Sequence, residues 1–189
     1  MIEHHGGRDR HLYYFGRWKN PLGTEPGHES PKIRIAGHHD ASGMARLRRE
    51  AILSKAVTHY DDALVNDWAD ALDFHERVIQ IERRIAEPGC LVLVAEATGE
   101  MLGFAIADLP ACELQALYVK PSGFGGVGRA LLAALEDRAF ATIPFLVCDA
   151  SLNAEGFYKA NGYLEESRRD FFTQRGLVSR IVCMKKLRP

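Results

Sequence analysis

Residues 113–132 read ELQALYVKPSGFGGVGRALL. The first seven residues form a mostly apolar run that predicts a strand, and Pro121 closes it. The glycine-rich run from Gly123 to Gly128 then opens a helix whose apolar face carries Leu131. A glycine-rich turn between a strand and a helix brings several backbone N–H groups and the positive end of the helix dipole to one point. This arrangement suits a pyrophosphate, so the segment predicts a phosphate-binding loop.

Three interpretations of the glycine run are open. Gly123, Gly125 and Gly128 match G-x-G-x-x-G, and Asp149 follows about 20 residues later, where a dinucleotide-binding domain has its ribose-binding acid. Against this interpretation, the residues after Asp149 supply one short helix and a hairpin instead of further strand–helix crossovers. Pro121 also separates the strand from the glycines. The second interpretation is a glycine turn without a ligand, and the third is the pyrophosphate site of an acyl-CoA.

Hydrophobic periodicity on both sides of this segment predicts a mixed α/β domain. The predicted elements are a strand at 32–35, a helix through Met44, Leu47 and Ile52 capped by Asp40, helical runs around Trp68 and Ile81, strands at 90–95, 101–108 and 144–149, a helix at 153–161, and a hairpin of 163–172 with 177–184. Residues 1–31 show no sustained period and are predicted to be an extension outside the core. Residues 32–189 are therefore the predicted domain.

Two segments resemble motifs of the GCN5-related N-acetyltransferase (GNAT) family, in the same order. Residues 117–121 with 126–132 resemble its motif A, and residues 153–163, NAEGFYKANGY, resemble its motif B. The resemblance in element order covers residues 32–189. It implies the acyl-CoA N-acyltransferase fold, an α+β fold with a central, mostly antiparallel, V-splayed sheet flanked by helices. It also implies acetyl-CoA as co-substrate, a primary amine as acceptor and no metal.

The resemblance further implies which residues contact acetyl-CoA. Leu117 and Val119 would bind the pantetheine arm and the acetyl oxygen through main-chain groups, and Tyr158 would protonate the departing thiolate. Asn153 would bond the pantetheine arm, cap the next helix, or do both. Gly123 stands where the family has Gln or Arg, so a side-chain contact to the pyrophosphate is lost. The implied cofactor-binding residues are Leu117, Val119, Phe124, Gly125, Gly126, Val127, Gly128, Arg129, Asn153 and Tyr158.

The catalytic base lies outside both motifs. Glu113 begins the central strand, and period-two alternation predicts that it shares a face with Gln115, Leu117 and Val119. A carboxylate on that face could take a proton from the amine through water, although Glu113 could equally be an exposed acid at the end of a strand. His59 and Tyr60 fall in the loop that borders the acceptor site in the family. They are therefore candidate substrate contacts.

Composition limits the classes of partner. The chain has 189 residues with 24 basic and 25 acidic side chains, a formal net charge of −1, so no global field attracts nucleic acid or acidic membranes. The four cysteines lack metal-site spacing and predict buried reduced thiols. The first residues lack an apolar leader, and no window reaches the roughly 18 apolar residues of a membrane span. We therefore expect a cytoplasmic protein without a metal.

Two questions about partners stay open at the level of sequence. The acceptor is expected to be a small molecule and not a protein. The aromatic cluster of residues 13–18 is expected to pack either across the domain or against a second subunit of a homodimer. The second class of function is a non-catalytic acyl-CoA-binding or sensor module on the same fold. Such a module would bind acetyl-CoA but would not transfer its acetyl group to any amine.

Overall fold

A computed structural model describes residues 31–56, 59–121, 125–173 and 175–189. The extension predicted for residues 1–31 therefore lies, except for its last residue, outside the described residues. The described strands are β1 (Lys32–Ile35), β2 (Cys90–Ala97), β3 (Glu100–Asp108), β4 (Glu113–Val119), β5 (Phe145–Ser151), β6 (Leu164–Phe172) and β7 (Val178–Leu187). They form one sheet in the order β1-β2-β3-β4-β5-β7-β6.

Strand pairing in this sheet is antiparallel except between β4 and β5. The mixed α+β fold and the mostly antiparallel sheet are therefore confirmed. The dinucleotide interpretation requires a parallel, doubly wound sheet, and this strand order excludes it. The described helices are α1 (Ala41–Lys55), α2 (Asp62–Asp70), α3 (Phe74–Ala86), α4 (Val127–Ala139) and α5 (Glu155–Ala160).

Helices cover both faces of the sheet and build a separate core on each. On one face, α1 and α3 pack against β2, β3 and β4, with Met44 and Phe104 among the buried residues. On the other face, α4 inserts Leu131, Leu132 and Leu135, each less than 2% exposed, against the central strands. Helix α2 packs on α1 and adds a third, smaller cluster. The central strands β2, β3 and β4 therefore lie between two apolar layers.

Asp40 takes the predicted N-cap position of α1, but its side chain makes no capping hydrogen bond to that helix. A short 3-10 turn, His38–Asp40, precedes α1, and the carboxylate of Asp40 accepts the N–H of Gly37 at 2.8 Å instead of an N–H of α1. Arg34 donates to the same carboxylate at 2.7 Å, and this hydrogen bond lowers the pKa of Asp40. Asp40 thus fixes β1 to the start of α1.

The structure can be compared with two further predictions, the burial of the cysteine thiols and the lack of a membrane-spanning segment. Of the four free cysteines, Cys148 is buried, and Cys90, Cys112 and Cys183 are half-buried, so the expectation of buried thiols holds for Cys148 alone. Burial raises the pKa of Cys148 to about 12. Among the described residues, no helix has both the length and the apolar character needed to cross a membrane.

Gly103 of β3 offers a direct test of how closely α4 packs on the sheet. A Cβ atom at this position would lie 2.8 Å from the carbonyl oxygen of Tyr118 and 2.9 Å from Leu131 Cδ1. Because moving the backbone of β4 to relieve the first contact costs free energy, Gly103→Ala should lower the free energy of unfolding by about 1–3 kcal/mol in urea denaturation. Gly156→Ala, in α5 with no atom within 4 Å of the added Cβ, is the matched control and should not destabilise. Equal unfolding midpoints for Gly103→Ala and the wild type would contradict the close packing.

Candidate active site

The parallel contact between β4 and β5 is confined to one end of the two strands. Glu113 and Val147 are their single register pair, and the N–H of Val147 donates to the carbonyl of Cys112 at 2.9 Å. No further pair joins β4 to β5 in the described parts of the chain, so the strands diverge and the sheet splits. The V-shaped splay is therefore confirmed.

The split leaves backbone groups of β4 without a neighbouring strand. The N–H of Lys120 donates to Leu102 of β3 at 2.8 Å. Because the backbone groups of successive strand residues point to opposite sides, Tyr118 also points toward β3, whereas Leu117 and Val119 point into the split. Their N–H and C=O groups can bond water or a ligand. The main-chain role of both residues in binding acetyl-CoA stays a prediction.

A cleft of about 710 Å³ passes through the split. Its floor is formed by residues 114–119 of β4 and 149–151 of β5. On the α4 side its lining residues include Gly125, Gly126, Val127, Gly128, Arg129, Asn153, Phe157 and Tyr158. On the α1 side they include Arg48, Ala51, Ile52, Ala56 and Trp68. Because α1 and α4 lie on opposite faces of the sheet, the cleft gives two ligands separate approaches to one point.

The N-terminus of α4 presents free amide groups to the cleft. Gly126 has φ +87°, a left-handed conformation that favours glycine, and takes the N-cap position. The first helical bond runs from the N–H of Ala130 to the carbonyl of Gly126, at 2.9 Å, so the three preceding N–H groups have no partner within the helix. Added Cβ atoms at Gly125 and Gly126 would meet open space. These positions can therefore accept an anion, while Phe124 lies outside the described residues.

Tyr158 is one of the residues that line the cleft. Its side chain is 7% exposed and packs edge-on against Phe157 and Tyr163, with ring centroids 5.2 and 5.3 Å away. Burial raises the pKa of the Tyr158 phenol above its usual value, so the group keeps its proton at neutral pH. Its hydroxyl has no hydrogen-bond partner among the described residues. A buried, protonated phenol is suited to donate a proton to a group in the cleft.

A β-bulge changes the position of Glu113. The β3–β4 register shifts between Ile106 and Ala107, so Leu114 packs in the same cluster as Leu117 and Val119. Glu113, next to Leu114, therefore faces the other side of the sheet, and the expectation that it shares a face with Val119 is wrong. Glu113 lies at the closed end of the split, accepts a hydrogen bond from Gln115 at 3.2 Å, and is not among the lining residues.

A carboxylate that does line the cleft is Asp149 of β5. It forms an ion pair with Arg169 and accepts the thiol of Cys183 at 3.3 Å. The sequence draws attention to Asp149 only through the dinucleotide interpretation. The fold places it on the wall of the cleft instead of in a ribose-binding position.

Asn153 lies at the mouth of the cleft but does not cap a helix. Helix α5 begins at Glu155 with Ala154 at the N-cap position, and no side chain caps it. The capping role proposed for Asn153 is therefore wrong. Its exposed amide lines the cleft and is available to a ligand.

Neither His59 nor Tyr60 is among the residues that line the cleft. The Tyr60 hydroxyl accepts the N–H of Leu152 at 2.8 Å and donates to the carbonyl of Arg180 at 3.0 Å. Its ring meets Trp68 edge-on, 5.1 Å between centroids. Tyr60 thus ties the α1–α2 connection to the far half of the sheet, which supports the cleft wall.

Sequence reasoning missed the residues that α1 and α2 contribute to the cleft. Arg48 and Ile52 come from α1 and Trp68 from α2. Arg48 belongs to a run of charged residues that is indistinguishable in sequence from a solvated helix face. Its four-residue spacing from Ile52, which places both on one helix face, was the only available signal.

Comparison with known proteins identifies the family. The acetyltransferase (GNAT) domain model matches residues 43–186. The chain belongs to this GNAT family. A search of curated proteins finds no match. Among the described residues, no group of three or more potential ligand side chains could hold a metal.

Solved structures of GNAT proteins share the fold. A GCN5-related N-acetyltransferase from Rhodopseudomonas palustris is 28% identical, covering 87% of this chain and 99% of its own, with a TM-score of 0.75. PaiA N-acetyltransferase from Thermoplasma acidophilum, in complex with coenzyme A, is 23% identical over 84% of this chain and 99% of its own, with a TM-score of 0.67. An acetyltransferase from Salmonella typhimurium with its cofactor acetyl-CoA is 21% identical over 85% of this chain and 95% of its own, with a TM-score of 0.62.

A negative charge placed beside the free N–H groups of α4 tests whether CoA binds there. Gly125→Asp places a carboxylate beside them without entering occupied space, so it should repel the pyrophosphate of CoA. Gly125→Asn has nearly the same size and no charge, which makes it the matched control. We expect the dissociation constant for CoA, measured by calorimetry, to be about tenfold or more higher for the Asp variant than for the Asn variant. Equal CoA affinities in the two folded variants would show that the pyrophosphate does not bind at the N-terminus of α4.

Proposed function

We propose that this GNAT protein transfers an acetyl group from acetyl-CoA to a primary amine by direct attack in a ternary complex. The observation that carries the proposal is the cleft that passes through the sheet between β4 and β5. Acetyl-CoA enters from the side of α4 and the amine from the side of α1, so the two meet at the split. The solved relatives with bound CoA or acetyl-CoA support this choice of co-substrate.

Bond formation takes place at the split of the sheet. The amine nitrogen attacks the thioester carbon, the carbonyl oxygen gains negative charge, and the C–S bond then breaks to release CoA thiolate. Backbone N–H groups of Leu117 or Val119 that face the split can stabilise the developing oxyanion. Asn153, at the mouth of the cleft, is proposed to bond the pantetheine arm.

Three proton transfers accompany the reaction. The acceptor ammonium first loses a proton to a carboxylate or to water, because only the neutral amine has the lone pair that attacks. Tyr158 is proposed to give its phenolic proton to the departing thiolate, since its raised pKa keeps it protonated until then. After the attack, the nitrogen loses its second proton to the Tyr158 phenolate or to water. Glu113 stays a predicted base acting through water from the closed end of the split, and Asp149 is a second candidate because it lines the cleft.

An acceptor screen that measures released CoA thiol tests the activity. Turnover with any primary amine, together with mass-spectrometric detection of the N-acetyl product, supports the transferase. Binding of acetyl-CoA without turnover of any amine in the panel would favour the non-catalytic binding module. A larger melting-temperature shift with NAD than with CoA would overturn the proposed co-substrate.

Tyr158→Phe tests the proton donor. The substitution keeps the ring, so the melting temperature and the affinity for acetyl-CoA should change little, while kcat should fall by about 100- to 10,000-fold. Tyr163→Phe is the matched control, because Tyr163 is also buried and adjacent but does not line the cleft. Its kcat should stay near that of the wild type. A Tyr158→Phe enzyme with wild-type kcat would show that the thiolate leaves without this proton.

A further inference from the structure

Two partly buried arginines near the α1 side of the cleft form no direct ion pair with a described carboxylate, although the Asp70 carboxylate attracts Arg48 at longer range. Of the described arginines, four are half-buried: Arg34, Arg48, Arg77 and Arg84. Arg34 pairs with Asp40 and Glu96, and Arg84 pairs with Glu87 and Asp108. Arg48 and Arg77 form no ion pair with any described carboxylate. A partly desolvated charge without a direct ion pair is costly, so an anion bound beside these arginines would be favoured.

Arg48 brings its charge to the cleft wall. From α1 its guanidinium donates to the carbonyl of Trp68 at 2.9 Å and, more weakly, to that of Ala69 at 3.4 Å. It also lies 5.8 Å from the centre of the Tyr118 ring. The group has five N–H donors, so two bonds to carbonyls leave donors available. A planar fork of this kind matches a carboxylate, which can accept two parallel hydrogen bonds.

Arg77 adds positive charge behind Arg48. It lies on α3, and its guanidinium donates to the side chain of Gln80. Burial is the main cause that lowers the pKa of Arg77, and the like charge of Arg48 is the second. Two guanidinium groups therefore repel each other at this position, and a bound anion would relieve the repulsion.

The opposite wall of the cleft contains a carboxylate, which already pairs with Arg169. Asp149 of β5 lines it, and the aromatic side chains of Trp68 and Tyr118 lie on the side of Arg48. A ligand with a carboxylate at one end and an ammonium at the other matches this arrangement. Amines without a carboxylate, including polyamines, could interact with Asp149 but have no group that Arg48 would bind.

We propose that the acceptor is an amine that also carries a carboxylate, such as a free amino acid, and that Arg48 binds this carboxylate. The inference rests on the proposed acetyl transfer and names the substrate class of that same site. Arg48 acts as a specificity residue, and Arg77 strengthens the attraction at longer range. The two carbonyl bonds give Arg48 a structural role as well, at the C-terminus of α2, so its test must separate the two roles.

The ratio of kcat/KM for an α-amino acid to kcat/KM for the matching α-amide makes that separation. A loss of structure at α2 lowers both values and leaves the ratio unchanged, whereas loss of a carboxylate contact lowers the ratio. The wild type should prefer the acid by about 10- to 100-fold, the range of a charged hydrogen-bond pair. Arg48→Gln should bring the ratio close to one. Arg46→Gln removes an exposed arginine from the same helix and should keep the wild-type ratio.

Three kinetic outcomes are decisive. A wild-type ratio of one or less overturns the inference, because neutral amines would then be accepted as readily as amino acids. An Arg48→Gln ratio equal to that of the wild type assigns Arg48 a purely structural role. Turnover of neutral amines alone would overturn the carboxylate inference while leaving the acetyltransferase proposal intact.

A binding measurement tests the inference without turnover. With Trp18→Phe as background, Trp68 is the remaining tryptophan of the chain, and it lines the cleft. In the presence of CoA, N-acetyl amino acids should change its fluorescence with at least tenfold higher affinity than their amides, and Arg48→Gln should remove this difference. Equal affinities for acid and amide would overturn the inference even if no amine is acetylated.

Discussion

The single register pair between β4 and β5 is the constraint on which the site depends. Glu113 and Val147 hold the two strands together at one end, and beyond them the backbone of β4 faces a cleft instead of a strand. Strands paired along their full length would close the cleft and satisfy those backbone groups internally. Each half of the sheet instead keeps its own antiparallel neighbours, β3 beside β4 and β7 beside β5. The split therefore persists without unsupported strands.

The two ends of the cleft differ in chemistry because different helices build them. The α4 side offers the unpartnered backbone N–H groups of residues 127–129, which suit a phosphate, and the Arg129 side chain. The α1 side offers a guanidinium and aromatic rings. Tyr60 joins the α1–α2 connection to both Leu152 and Arg180 on the far half of the sheet. The α1 side of the cleft is thus connected to the far half of the sheet by hydrogen bonds across the split.

The sequence predicts the elements whose signals are local. The bounds of β4, Glu113–Val119, and the start of a glycine-opened helix follow from apolar runs and turn residues. The β-bulge near Gln115 has no such signal, because it arises from the pairing with β3. It reverses the face of Glu113, which is why alternation along one strand failed. Arg48 was missed for a similar reason. Its candidacy rests on the absence of a direct ion pair with any described carboxylate, and only the tertiary structure shows which carboxylates lie close to it.

A crystal structure with bound acetyl-CoA tests the central claim most directly. The account predicts that pyrophosphate oxygens lie within hydrogen-bond distance of the N–H groups at residues 127–129. It also predicts that the thioester lies between β4 and β5, with its sulfur near the Tyr158 hydroxyl. An acetyl-CoA molecule bound outside the split, or one whose pyrophosphate avoids the N-terminus of α4, would contradict the account.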